Sequence, residues 1–163
     1  MWTHECMRIF YDRLIFEEDR DVFMSFMKVA FREFEFKEEH ILEEPLIYTS
    51  FVALCEGHEK SYMPIKEMSH LKKVLENKLA EYNEQIQTMN LVLFDQAIEH
   101  ITRIARIIDI PVGNALLVGV GGSGKQSLSK LAAFILSYDV VRIVVTTNFT
   151  MADLKQEIQI MFQ

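Results

Sequence analysis

Residues 119–125 read Gly-Val-Gly-Gly-Ser-Gly-Lys, which spells G-x-x-x-x-G-K. Glycines open the main chain to close approach, and the lysine ends the run with a positive charge. An apolar stretch, 116–118, precedes the run, and Leu128, Leu131, Ala132 and Ile135 follow it at helical spacing. A turn feeding a helix N-terminus presents unpartnered N–H groups and the positive end of the helix dipole, which suits an anion. Phosphate is the natural guest: the loop amides cradle α and β phosphates while the lysine reaches β and γ. The candidate nucleotide-contacting residues are Gly119, Val120, Gly121, Gly122, Ser123, Gly124, Lys125, Gln126 and Ser127. The alternative is a glycine-rich connector.

One position departs from the pattern. A serine or threonine normally follows the lysine and ligates Mg²⁺, but here Gln126 follows and the serine comes next, at Ser127. One residue on a helix is about 100° of rotation, so Ser127 does not simply take over. The carbonyl oxygen of Gln126 is therefore the candidate Mg²⁺ ligand, directly or through water. Downstream of the loop no strand ends in carboxylates that would hold the metal and position an attacking water. The expectation is nucleotide binding, as ATP or ADP, without turnover by this chain alone.

Other chemistries find less support. The histidines His4, His40, His58, His70 and His100 form no H-x-x-x-H or H-E-x-x-H pair, and solvent-facing or capping roles are expected for them. Cys6 and Cys55 are far apart in sequence and lack C-x-x-C spacing, which points to reduced thiols rather than a disulfide or metal site. Ser123 sits among glycines as a nucleophile would, yet the lysine and helix that follow directly explain it better as part of the phosphate loop.

The elements that must position the loop follow from periodicity. Residues 1 to about 30 read as two helices, with 17–21, Glu-Glu-Asp-Arg-Asp, as the break between them. Phe31, Phe34 and Phe36 form an aromatic group expected to pack on a neighbouring element. Residues 37–45 read as a solvated acidic segment, 45–51 as a short extended piece and 55–64 as loop. Leu71, Val74, Leu75, Leu79 and Tyr82 mark an amphipathic helix over 68–87, and Phe94, Ala97, Ile98, Ile101, Ile104, Ala105 and Ile108 a second. The loop should then lie between a buried parallel strand at 116–118 and a helix. The β-branched run 140–147 predicts another strand. Thr150 is the expected N-cap of a last helix with Met151, Leu154, Ile158 and Met161 on its apolar face. The fold class is α/β: an incomplete P-loop NTPase parallel sheet preceded by a mainly helical N-terminal region.

At 163 residues the chain can bury one substantial core. Its net charge of −7 argues against a nucleic-acid or anionic-membrane partner, and no apolar run approaches the ~20 residues a membrane span needs. The opening residues also lack the pattern of a signal peptide.

The run 91–135 resembles the start of the fourth AAA+ module of axonemal dynein heavy chains, in which Gln and Ser similarly follow the P-loop lysine. The front of the chain is similar to the closing helical subdomain of the third module, through His4, Glu5, Arg8, Asp12, Arg13 and Leu14. The resemblance divides the chain into a helical end of the preceding module (1–45), an inter-module junction (46–90) and a truncated P-loop half-domain (91–163). It implies a nucleotide-binding regulatory segment of an ATP-driven microtubule motor of cilia and flagella, located in the cytoplasm, cytoskeleton and axoneme. Its implied partners are the neighbouring AAA+ modules and, through the longer protein, intermediate and light chains and microtubules. It further implies that Leu91 to Leu93 offer an apolar wall to adenine and that Arg8 is a candidate sensor of the third module's nucleotide. With no Walker B strand, sensor 1, arginine finger, linker or stalk in these residues, the expectation is a piece that is not itself a motor. Marginal stability or association with other chains is expected from an incomplete sheet. A structural segment whose loop binds nothing, or a small P-loop kinase, remains as an alternative.

Overall fold

The computed structural model describes residues 1–34, 37, 41–43 and 45–162. Helix α1 (Trp2–Ile9), a 3₁₀ turn (Tyr11–Arg13) and helix α2 (Glu17–Glu33) open the chain. The acidic run expected to separate two helices instead starts α2, placing Glu17, Glu18 and Asp19 in its first turn. Carboxylates there complement the positive end of the helix dipole. The break falls earlier, over 10–16. Phe31 is fully buried and meets the Trp2 ring edge-on at 5.8 Å, so it packs on a neighbouring element as expected. Phe36, His40 and parts of the 37–45 segment lie outside the described residues.

Two short strands, β1 (Tyr48–Thr49) and β2 (Met63–Pro64), pair antiparallel with Tyr48 opposite Pro64. The extended piece at 45–51 thus exists, whereas the expected loop at 55–64 ends in a strand. Between them lies the short helix α3 (Phe51–Cys55). Phe51 and Ile65 carry this hairpin onto the core.

That core is made by three helices: α4 (Met68–Gln85), α5 (Asp95–Asp109) and α6 (Lys125–Ile135). Leu71 and Leu75 of α4, Ile98 and Ile101 of α5, and Leu131 of α6 are inaccessible to water. At about 1.5–3 kcal/mol for each large apolar side chain fully buried, these stripes supply much of the stabilisation. Tyr82 meets Phe134 edge to face at 5.3 Å. Asn83 closes the connection to α5 by accepting the Met89 N–H at 2.7 Å. The most extensive helix packing joins α5 to α6.

The parallel sheet is where the structure departs from expectation. Segments 116–118 and 140–147 belong to no ladder, with Thr147 in a turn, and the sheet found among the described residues is the β1–β2 pair. Leu116 is 90% exposed and Val145 74%. The reason is physical: a buried parallel strand takes its hydrogen bonds and both packing faces from neighbours, and neither segment pairs with the other here. The last helix, α7 (Met151–Met161), begins at Thr150 with a reciprocal capping box to Asp153, as the N-cap assignment requires. None of its residues is buried, and Leu154 alone of its apolar face is half-buried.

Candidate functional site

The loop is framed by the C-terminus of α5 and the N-terminus of α6. After α5 the chain turns through Pro111 and Val112, with the Gly113 N–H donating to the Ile110 carbonyl at 2.9 Å. A Cβ at Gly113 would sit 1.8 Å from the Ile107 carbonyl oxygen, so only glycine fits there. Gly122 and Gly124 take left-handed backbone angles, φ +78° and +76°, which an L side chain adopts at a cost of about 1–2 kcal/mol. Gly124 is also the N-cap of α6 and leaves its N-terminus without a side-chain cap. The N–H groups of Lys125, Gln126 and Ser127 carry no backbone partner outside the helix among the described residues.

The Lys125 ammonium lies inside the loop. It donates to the Gly119 carbonyl oxygen at 2.8 Å, the Val120 carbonyl oxygen at 2.7 Å and Ser123 Oγ at 2.9 Å. The structure therefore brings Gly119, Val120, Ser123 and Lys125 together, with Gly122 and Gly124 shaping the turn. Gly121 meets nothing within 4 Å of a notional Cβ, and Gln126 is exposed. Free amides beside an ammonium are a donor set that fits phosphate oxygens. For a metal the residues offer less: no group of three or more His, Cys, Asp or Glu with ligand geometry exists among the described residues.

The other residues assigned from the resemblance are dispersed. Leu93 is buried in the core while its neighbour Val92 is 76% exposed, so the proposed apolar wall presents alternate side chains to different surroundings. Arg8 approaches Asp12 at 3.1 Å, and Arg103 approaches the same carboxylate at 3.5 Å. Burial holds the Arg8 guanidinium below its ordinary range, with Asp12 opposing that effect.

Sequence reasoning missed a polar cluster that ties α1 to α5. Glu5 receives the Tyr62 hydroxyl at 2.6 Å and is held by the Arg106 guanidinium. Burial pushes the Glu5 carboxyl upward, but donation from Arg106 and Tyr62 outweighs it and keeps the group below the usual carboxylate range. Next to it His4 is buried, not solvent-facing or capping as expected. Its Nδ1 lies 2.9 Å from the Leu46 carbonyl oxygen and therefore carries the proton, leaving Nε2 without a hydrogen-bond partner. Burial lowers the His4 pKa from 6.5. Close by, Asp109 accepts from Ser50 Oγ at 2.7 Å and from Lys60. Glu5 and Arg106 are separated by about a hundred residues of chain, so no local spacing could announce them.

Residues 89–163, which contain α5, the loop and α6, match the family described as P-loop containing dynein motor region D4. The whole chain is 46% identical over 97% of its length to the flagellar outer arm dynein beta chain of Chlamydomonas reinhardtii. It is 40% identical over 99% of its length to human dynein axonemal heavy chain 10, and 41% identical over 97% to the ciliary dynein beta chain of Heliocidaris crassispina. The chain is of the axonemal dynein heavy-chain type. It spans 4% of the length of these dynein relatives. Its location, on these likenesses, is the cytoskeleton of the axoneme. No described helix is long and apolar enough to cross a membrane.

Proposed function

We infer that residues 119–127 bind the phosphates of ATP or ADP, and that the chain is a nucleotide-binding regulatory segment of a dynein-type axonemal motor. The observation that carries this reading is the Lys125 ammonium held within a loop whose Gly122 and Gly124 turns open onto the free N–H groups of α6. Positive charge and unpartnered donors converge there on one small volume. The match of residues 89–163 to a P-loop containing dynein region supports the same assignment.

In this reading the amides of Gly121, Gly122 and Gly124 surround the phosphates, Lys125 neutralises their charge, and Gln126 with Ser127 lies at the metal end. A bound Mg–nucleotide supplies the phosphoanhydride and its charge. The chain's own residues hold and orient it. Residues 1–45 are then the end of a preceding AAA+ module, 46–90 the junction and 91–163 the P-loop half of the next. Neighbouring modules are its direct partners. Intermediate and light chains and microtubules are engaged through the longer heavy chain.

A second reading is favoured by a specific observation: the ammonium is already satisfied by loop oxygens, as it would be in a loop retained purely as scaffold. Equilibrium titration with ATP and ADP, with and without Mg²⁺, separates the two. The nucleotide reading expects saturable binding that Lys125→Ala abolishes without unfolding the chain. Absence of binding in a folded sample would establish the scaffold reading.

A further inference from the structure

A lysine ammonium has three N–H donors, and Lys125 has three acceptors around it: two backbone carbonyls and the Ser123 hydroxyl. None of its donors is left for an incoming anion. A phosphate oxygen can engage the ammonium only after one acceptor lets go. The Gly119 and Val120 carbonyls are main-chain groups, and turning either away requires rotating peptide units of the loop. Ser123 differs, because its hydroxyl swings about a single side-chain torsion between staggered wells. Ser123 and Lys125 lie close to the position that a side chain at Gly119 would occupy, 3.2 Å and 3.3 Å from its notional Cβ, so the three residues share one crowded volume. The seryl hydroxyl is partly exposed with the loop, which gives it room to leave.

We propose that Ser123 is the releasable acceptor that cages Lys125 within the loop and thereby sets its affinity for polyphosphate. The proposal rests on the phosphate-binding reading above and adds to it a residue that opposes binding. Ser123 is a positioning residue, acting through the ammonium. In the free loop its hydroxyl holds the third donor. When a phosphate arrives, the hydroxyl rotates away and that donor passes to a phosphate oxygen. Deleting the hydroxyl therefore destabilises the free state more than the bound one, and binding tightens.

The test compares Ser123→Ala and Ser123→Thr with the unaltered 163-residue chain in two measurements. The first needs no nucleotide: the rate at which Lys125 is acylated by a small amine-reactive ester, read by peptide mass spectrometry against exposed lysines of the same sample. Caging predicts that Ser123→Ala speeds Lys125 labelling about threefold to tenfold, the weight of one net hydrogen bond, and that Ser123→Thr restores the slow rate. The second is the dissociation constant for ATP and for inorganic triphosphate, expected to fall by a similar factor in Ser123→Ala and to return in Ser123→Thr. Equal labelling in all three chains would overturn the cage, as would weaker triphosphate binding in Ser123→Ala. If no chain binds either ligand while the labelling contrast persists, the cage stands and it is the nucleotide reading that fails.

Discussion

The packed helices α4–α6 and the segments 116–118 and 140–147 have opposite fates, although the segments are the richer in apolar residues. Leu131 is fully buried, whereas Val118 is 86% exposed. An α-helix closes its hydrogen bonds within itself and needs a partner for one face only, which α5 and α6 provide for each other. A parallel strand completes neither its hydrogen bonds nor its packing without neighbours on both sides. The glycine-rich loop sits at the seam between these regimes, with a firmly packed helix after it and an unpaired segment before it.

Substitutions on the two sides should separate sharply. The largest effect is expected from Leu131→Ala, which removes a side chain from the α5–α6 contact and should cost about 2–5 kcal/mol in urea unfolding. A loss below 1 kcal/mol would mean that the helical centre is not the stable unit.

Next comes Arg106→Met, which strips Glu5 of its charged partner and should destabilise by about 1.5–3 kcal/mol. The same cluster gives a pH dependence. The Glu5 pKa is lowered in the folded chain, so its contribution is complete above the unfolded value and is lost as pH falls through the folded one. The His4 pKa is lowered as well, so folding favours the neutral ring, and stability begins to fall as pH drops below 6.5. Both groups act in the same direction. Urea midpoints measured from pH 8 down to pH 2 should decline in two stages, and His4→Phe should remove the earlier one. A midpoint rising over that range would contradict the assignment.

A smaller change, about 1 kcal/mol, is expected for Gly124→Ala, which forces an L side chain to φ +76° at the helix start. Its nucleotide affinity should drop by more than its stability suggests, because the same residue aims the loop amides; equal losses in the two would undo that link. The smallest effect belongs to Val145→Ser on the unpaired side, within about 0.5 kcal/mol by denaturation, since a largely exposed side chain has little packing to lose. A loss as large as that of Leu131→Ala would show that residues 140–147 are paired in solution, and would erase the contrast between the two regions.

Much of this was legible in advance, and the exceptions share a cause. The stripes of α4, α5 and α6, the Thr150 cap and the glycine-rich turn depend on residues within a few positions of one another. Their physics is local, so spacing reveals them. Helix α2 began at the acidic run expected to break it, because carboxylates serve a first turn as readily as a loop. His4 looked like a surface histidine, yet contact with the Leu46 carbonyl and the neighbouring Tyr48 and Tyr62 rings encloses it.

By itself the sequence determined that residues 119–125 form a glycine turn running into an amphipathic helix, and it was enough to place the chain among axonemal dynein heavy chains. Left-handed backbone angles, a helix N-terminus and a nearby lysine are all encoded within a dozen residues. Only the tertiary structure decided that Glu5 joins Arg106, that His4 is enclosed against Leu46, and that 116–118 and 140–147 remain unpaired. Those outcomes depend on which distant groups arrive to supply a charge, an acceptor or a neighbouring strand, and no local pattern specifies that.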